Sequence, residues 1–223
     1  MPGAKSFGVA AASILLGAAV LSGAGVWLAN ATPHQKALGC QKVSDGVCSI
    51  SLSTFPDSLA GVHGASGGAH PDWVSYSNDN IDVPANTTVE VTINQYDSGG
   101  SLNNAYFDRV MGTIGGTATI DGKVTSQVDP TDIGHTFTLR GIPGSGKTLF
   151  VSVPLPADNN SAMPVHLGTG TYPNPVVVKF SFKTGSKGVY EWNCEFPCGG
   201  SRLGQFGQAM STFGYMSGTL TVE

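Results

Sequence analysis

From residue 81 onward, apolar and polar positions alternate in short runs separated by turn-forming residues. Val89-Glu90-Val91-Thr92-Ile93 is the clearest run. Its β-branched side chains fall on one face and its polar ones on the other, the period-two mark of a half-buried strand. Pro84 and Asn86 set the turn that leads into it from Ile81-Asp82-Val83. The same reasoning predicts strands at 117–120, 136–140, 149–153, 176–183, 189–193 and 215–222, with a turn at Asp121-Gly122. After residue 35 no segment sustains a helical period. Short strands with turn signals between them predict an all-β sandwich with Greek-key connections, starting near residue 76 and running to 223.

The N-terminus breaks the pattern. From Phe7 to Ala31 there is no charged residue, and Ile14-Leu15-Leu16 and Val26-Trp27-Leu28 are strongly apolar. Twenty-five residues at roughly 1.5 Å each exceed a hydrocarbon core of about 30 Å. Residues 1–31 therefore predict one N-terminal transmembrane helix. Lys5 ahead of it places the N-terminus in the cytoplasm and the rest of the chain outside, on the cell membrane. A cleaved signal peptide ending at Ala29-Asn30-Ala31 is the competing reading, and it also exports the domain. Residues 32–75 are rich in Gly, Ser, Ala and His and read as a linker and N-terminal extension. Phe55, Leu59, Trp73 and Val74 give that extension a reason to pack on the domain.

Thirty-one glycines and thirteen prolines in 223 residues suit a turn-rich β protein. A net charge of −4 with 12% charged residues excludes nucleic-acid binding driven by phosphate neutralisation. Gly141-Ile142-Pro143-Gly144-Ser145-Gly146-Lys147-Thr148 matches the Walker A pattern, but that site needs a helix starting at the lysine. Here Leu149-Phe150-Val151-Ser152-Val153-Pro154 continues as strand and then proline, so the octapeptide predicts a hairpin turn and no nucleotide. There are no paired carboxylates in one loop and no Ser/His/Asp ordering, so hydrolysis has no support.

Candidate chemistry collects at the C-terminus. The strand ending Tyr190-Glu191-Trp192-Asn193 runs into Cys194-Glu195-Phe196-Pro197-Cys198-Gly199, and Met216 opens the last strand. Thiolate and thioether are soft ligands that select copper or zinc over hard cations. Upstream, Asp132-Ile133-Gly134-His135-Thr136-Phe137 offers an imidazole at a strand start. His34, His63, His70 and His166 lie in polar or glycine-rich segments, where surface positions are the rule.

This order of residues resembles the copper-binding domain of cytochrome c oxidase subunit II and, more loosely, the cupredoxin superfamily. The resemblance runs from about residue 81 to the C-terminus and rests on the C-x3-C-G spacing, on the segment Gly214–Val222 and on His135. It implies a cupredoxin-like β-sandwich holding one or two copper ions. Cys194 and Cys198 would bridge, with His135 and a methionine, Met216 or in reserve Met210, as terminal ligands. In a one-copper version His135, Cys194 and Met216 bind, and Cys198 stands where the family has a second histidine. The interval 199–215 contains no histidine and offers Arg202, Gln205, Gln208 and Met210 instead.

Export gives the four cysteines a second reading, because disulfides persist in oxidising compartments. Cys40 and Cys48 flank an Asp45-Gly46 turn and predict a local disulfide. Cys194 and Cys198 are either copper ligands or a second short disulfide. Two functions follow from those alternatives. One is a membrane-anchored, extracytoplasmic copper electron-transfer domain, not an enzyme on its own, partnered with a respiratory oxidase or cytochrome. The other is a copper-free accessory or assembly subunit carrying a Cys194–Cys198 disulfide.

Overall fold

The computed structural model describes residues 36–99, 104–160, 165–168, 170–199 and 207–223. The expected membrane anchor, together with His34, Arg202 and Gln205, lies outside the described residues. Among the described residues, no helix is long and apolar enough to cross a membrane.

The chain forms strands β1 (Leu38–Gly39), β2 (Gln41–Ser44), β3 (Val47–Phe55), β4 (Ser75–Tyr76), β5 (Asn80–Val83), β6 (Thr88–Gln95), β7 (Ala118–Ile120) and β8 (Lys123–Thr125). They are followed by β9 (Ile133–Gly141), β10 (Phe150–Pro156), β11 (Val165–Leu167), β12 (Gly170–Tyr172), β13 (Val176–Lys183), β14 (Gly188–Asn193) and β15 (Ser217–Val222). One sheet has the order β1-β5-β15-β14-β9-β10, the other β2-β3-β6-β13-β7-β8 with β4 beside β3, and β11 and β12 form a separate hairpin.

Alternation along the strands builds the core between the sheets. Val89, Val91 and Ile93 of β6 and Val178, Phe180 and Phe182 of β13 face inward from one sheet. Phe137 and Leu139 of β9, Val151 and Val153 of β10, Tyr190 and Trp192 of β14 and Leu220 of β15 meet them from the other. Trp192 anchors the centre, with Tyr76 edge-on at 4.8 Å and Phe137 stacked at 5.6 Å.

Residues 38–55 depart from the sequence reading. They are not an irregular extension but three strands of the sandwich, and β3 pairs in parallel with β6 along its whole length. Cys48, Ile50 and Leu52 point into the core while Ser49, Ser51 and Ser53 face outward. Cys40 and Cys48 form the expected disulfide. Phe55 joins Tyr96 and Tyr172 in a small satellite core, and Trp73 packs on the main one.

The Walker-like octapeptide is the turn joining β9 to β10. Lys147 donates to Ser186 Oγ at 2.8 Å and to the Lys187 carbonyl at 2.5 Å, which holds its ammonium on a neighbouring loop. At Asp121-Gly122 a hairpin joins β7 to β8, as the turn residues predict.

Candidate metal centre

Strand periodicity carries the donors inward. His135 shares the face of Phe137 and Leu139 on β9, and pairs in register with Leu155 of β10. Cys194 lies two residues past Trp192, so it continues the inward face of β14. Because β9 and β14 are hydrogen-bonded neighbours, imidazole and thiol meet at one end of the sandwich. Cys198 returns to the same point after Phe196 and Pro197. The ligand atoms of His135, Cys194 and Cys198 all lie within 4.8 Å of one another. His135 and Cys194 are 1% and 0% exposed and Cys198 is 8% exposed.

The local hydrogen bonds fix this geometry. Cys194 N–H donates to the Met216 carbonyl at 2.8 Å, and Met216 N–H to the Ala209 carbonyl at 3.1 Å. Gln208 N–H closes the loop on the Gly199 carbonyl at 2.9 Å. Thr136 N–H points at Cys194 Sγ at 3.4 Å, and Glu195 N–H donates to Thr136 Oγ1 at 2.8 Å. Arg140 then clamps the end of β14, donating to Asn193 Oδ1 at 2.7 Å and Glu195 Oε1 at 2.6 Å. Tyr76 is buried beside the site and donates to the Thr136 carbonyl at 3.1 Å.

The electrostatics single out one sulfur. Burial opposes a charge on Cys194, but hydrogen bonds from Cys198 and His135 outweigh it and bring the thiol well below its ordinary range. Cys198 is pushed the other way, upward, by its hydrogen bond to Cys194 and by burial. Burial also works against a charged His135 ring. Its bonds to Asp97 and then Cys194 prevail and push it up to about 9. Both shifts favour charge on the facing groups, and His135 Nδ1 lies 3.7 Å from Cys194 Sγ.

Of the other candidates, Met216 is fully buried and one backbone hydrogen bond from Cys194. Met210 is half-buried against the core, beside Gly207 and Pro197. His63 packs on Tyr215 with ring centroids 4.6 Å apart, and His70 stacks on Trp73 at 3.8 Å. His166 is exposed and bonds Thr171 in the β11–β12 hairpin. None of these three histidines belongs to the donor cluster.

Sequence reasoning misses Asp97, whose Oδ2 lies 2.7 Å from His135 Nε2. The only cue is an acid and glycines, Asp97-Ser98-Gly99-Gly100, just past a predicted strand. Cys194, His135 and Asp97 thus line up in the order of a nucleophilic triad. Cys194 is fully buried, however, where a nucleophile working on an acyl substrate needs an exposed sulfur. Two sulfurs and one imidazole nitrogen converging without an exposed face form a ligand set for a soft or borderline metal ion.

No protein-family model matches the chain, and no curated protein matches it. Solved structures similar to it include auracyanin B, at 14% identity, with 82% of this chain and 94% of that one covered and a TM-score of 0.36. Reduced rusticyanin is similar at 15% identity, covering 86% of this chain and 84% of that one, with a TM-score of 0.38. A copper-containing nitrite reductase from Thermus scotoductus is similar at 9% identity over 78% of this chain and 30% of that one, with a TM-score of 0.30.

Proposed function

We propose that this chain is a copper-binding electron-transfer protein with a cupredoxin-like β-sandwich, tethered outside the cell membrane by residues 7–31. The observation that carries the reading is the buried cluster of His135, Cys194 and Cys198 donor atoms within 4.8 Å of one another. The donor set fits copper. Two thiols and an imidazole converge, and Met216, whose backbone carbonyl accepts from Cys194 N–H, offers a thioether, a poor zinc ligand and a good soft one. One imidazole and two sulfurs match a single ion. His135 would bind through Nδ1, Cys194 as a thiolate, and Cys198 in place of a second imidazole. Met216 would be the weak fourth ligand.

Bound there, copper would supply a one-electron couple. The chain's part is to keep the donors still and dry. β9 and β14 fix His135 and Cys194 by their ladder, Thr136 N–H faces the Cys194 sulfur, and Trp192, Tyr76 and Phe196 exclude water. Hydrogen bonds and apolar packing around the cysteine sulfur are the levers that tune such a couple. The Cys40–Cys48 disulfide agrees with an extracytoplasmic location. The C-x3-C-G spacing favours a respiratory oxidase or cytochrome as the partner that gives or takes the electron.

Copper titration of the reduced full-length protein, followed by absorption and electron paramagnetic resonance, tests the reading. An intense sulfur-to-copper charge-transfer band is expected, abolished by Cys194→Ser and shifted but retained in Cys198→Ser. A spectrum lost equally in both variants would instead indicate two bridged coppers. Absence of any band, with a Cys194–Cys198 disulfide found by mass spectrometry, would overturn electron transfer in favour of a copper-free accessory subunit. Both thiols are free in the structure.

A further inference from the structure

The Asp97 carboxylate is 8% exposed and faces a ring that is 1% exposed. A carboxylate is seldom left in such a place without a task, because removing it from water is costly unless it is paired and hydrogen-bonded. Asp97 is both. It meets His135 Nε2 at 2.7 Å and also accepts backbone N–H bonds from Ser98 and Gly99. Its own peptide N–H donates to Gln95 Oε1 at 3.4 Å, and its carbonyl accepts from Asp158 N–H at 2.8 Å.

A second observation ties this loop to the strand that carries His135. Gly99 has φ 65°, and a Cβ built on it would fall 2.2 Å from Gly134 Cα. A Cβ on Gly134 would in turn fall 2.7 Å from Gln95 Nε2. The backbone after Asp97 therefore lies directly against the residue before His135, and at Gly99 both the positive φ and this close approach call for glycine. This packing fixes the backbone that carries the carboxylate against the strand that carries the imidazole.

We propose that Asp97 is the positioning residue of the metal centre: its carboxylate holds His135 by Nε2 and thereby aims Nδ1 at Cys194. A neutral imidazole carries its proton on one nitrogen and binds metal through the other. An acceptor fixed at Nε2 keeps the proton there, leaves the Nδ1 lone pair free for the ion, stops rotation of the ring and raises its basicity. The same buried negative charge favours the more highly charged, oxidised ion. The inference rests on the copper reading above.

The test compares full-length wild-type, Asp97→Ala and Asp97→Asn proteins, with Asp129→Asn as an exposed-charge control. Asp97→Ala leaves Nε2–H buried and unpaired, and copper affinity should fall about 10- to 100-fold. Asp97→Asn keeps an acceptor of the same shape without the charge. It should recover most of the affinity while the reduction potential rises above that of wild type. In the metal-free protein, nitrogen–proton NMR of the His135 ring should show a strongly hydrogen-bonded Nε2–H in wild type that is lost in Asp97→Ala. The control should match wild type throughout.

A merely structural role for Asp97 would lower stability without moving the potential of Asp97→Asn or the ring proton of Asp97→Ala. Should wild type take up copper and Asp97→Asn keep its potential and Asp97→Ala its affinity, the positioning role falls while the copper reading stands. Should wild type take up no copper, both fall together.

Discussion

Cys194 and Cys198 stand four positions apart, yet their surroundings shift the two thiols in opposite directions. Cys194 receives hydrogen bonds and faces the His135 ring, whereas Cys198 donates to its neighbour. A metal ion entering this site replaces protons, so binding depends on pH and releases acid. The ring sets the measurable quantity. Burial alone would lower His135, and the bonds to Asp97 and Cys194 reverse that and push it up to about 9. In metal-free protein the ring should therefore stay charged as pH rises past the ordinary 6.5 and lose its proton only near 9. Asp97→Asn removes the negative charge beside the ring and leaves a weaker acceptor, so its ring should deprotonate at lower pH. Nitrogen NMR across the range reads this directly, and a wild-type ring neutral by about pH 7 would contradict the ion pair. At this scale Cys194, Cys198 and His135 are legible in the sequence because spacing and residue type mark them. Asp97, Thr136 and Arg140 are not, because each acts through a tertiary contact; Asp97 is 38 positions from the ring it holds.

The strands deliver the donors through a rule that reads off the chain. Tyr190, Trp192 and Cys194 alternate inward, and Phe137 and His135 do the same on β9, so burial of the aromatic residues and convergence of the ligands are one event. Strands with β-branched or aromatic alternation, β6, β13, β14 and β15, lie where the pattern predicts, within a residue or two at their ends. The short pairs β8, β11 and β12 carry too few apolar residues for a period to show. Tight packing between elements is likewise invisible in one dimension. Gly218 of β15 is an example: a Cβ there would fall 1.9 Å from the Asp79 carbonyl oxygen and 2.7 Å from Trp192 Cζ2. Gly218→Ala must push β15 from the backbone beside β5 or displace the core tryptophan. Overpacking of this kind costs about 1–3 kcal/mol. Urea unfolding should show a lower midpoint at unchanged slope, and a midpoint equal to wild type would mean the strands part without strain.

At the level of the whole molecule, the place where the domain starts decides whether a site exists at all. Composition suggests a boundary near residue 76, because 32–75 is full of Gly, Ser, Ala and His. The finer pattern says otherwise: Cys48-Ser49-Ile50-Ser51-Leu52-Ser53 alternates perfectly, and small outward serines disguise a strand as a loop. β3 is no ornament, since it lies next to β6 in the middle of its sheet and supplies Ile50, Leu52 and Phe55, each under 5% exposed. Burying side chains of this size contributes roughly 1.5–3 kcal/mol apiece, so three of them rival the 5–15 kcal/mol or so that keeps a typical domain folded. Losing β3 also strips the parallel partner from β6 and leaves a bare hydrogen-bonding edge, which invites aggregation. A fragment of residues 36–223 should therefore fold, with a β-sheet circular dichroism spectrum and a cooperative melt. A fragment of residues 76–223 retains His135, Cys194, Cys198 and Met216, yet it should aggregate or remain unfolded and show no charge-transfer band with copper. If the shorter fragment melted cooperatively and bound copper as tightly as the longer one, β1–β3 would be dispensable cover and the composition-based boundary would be the true edge of the domain.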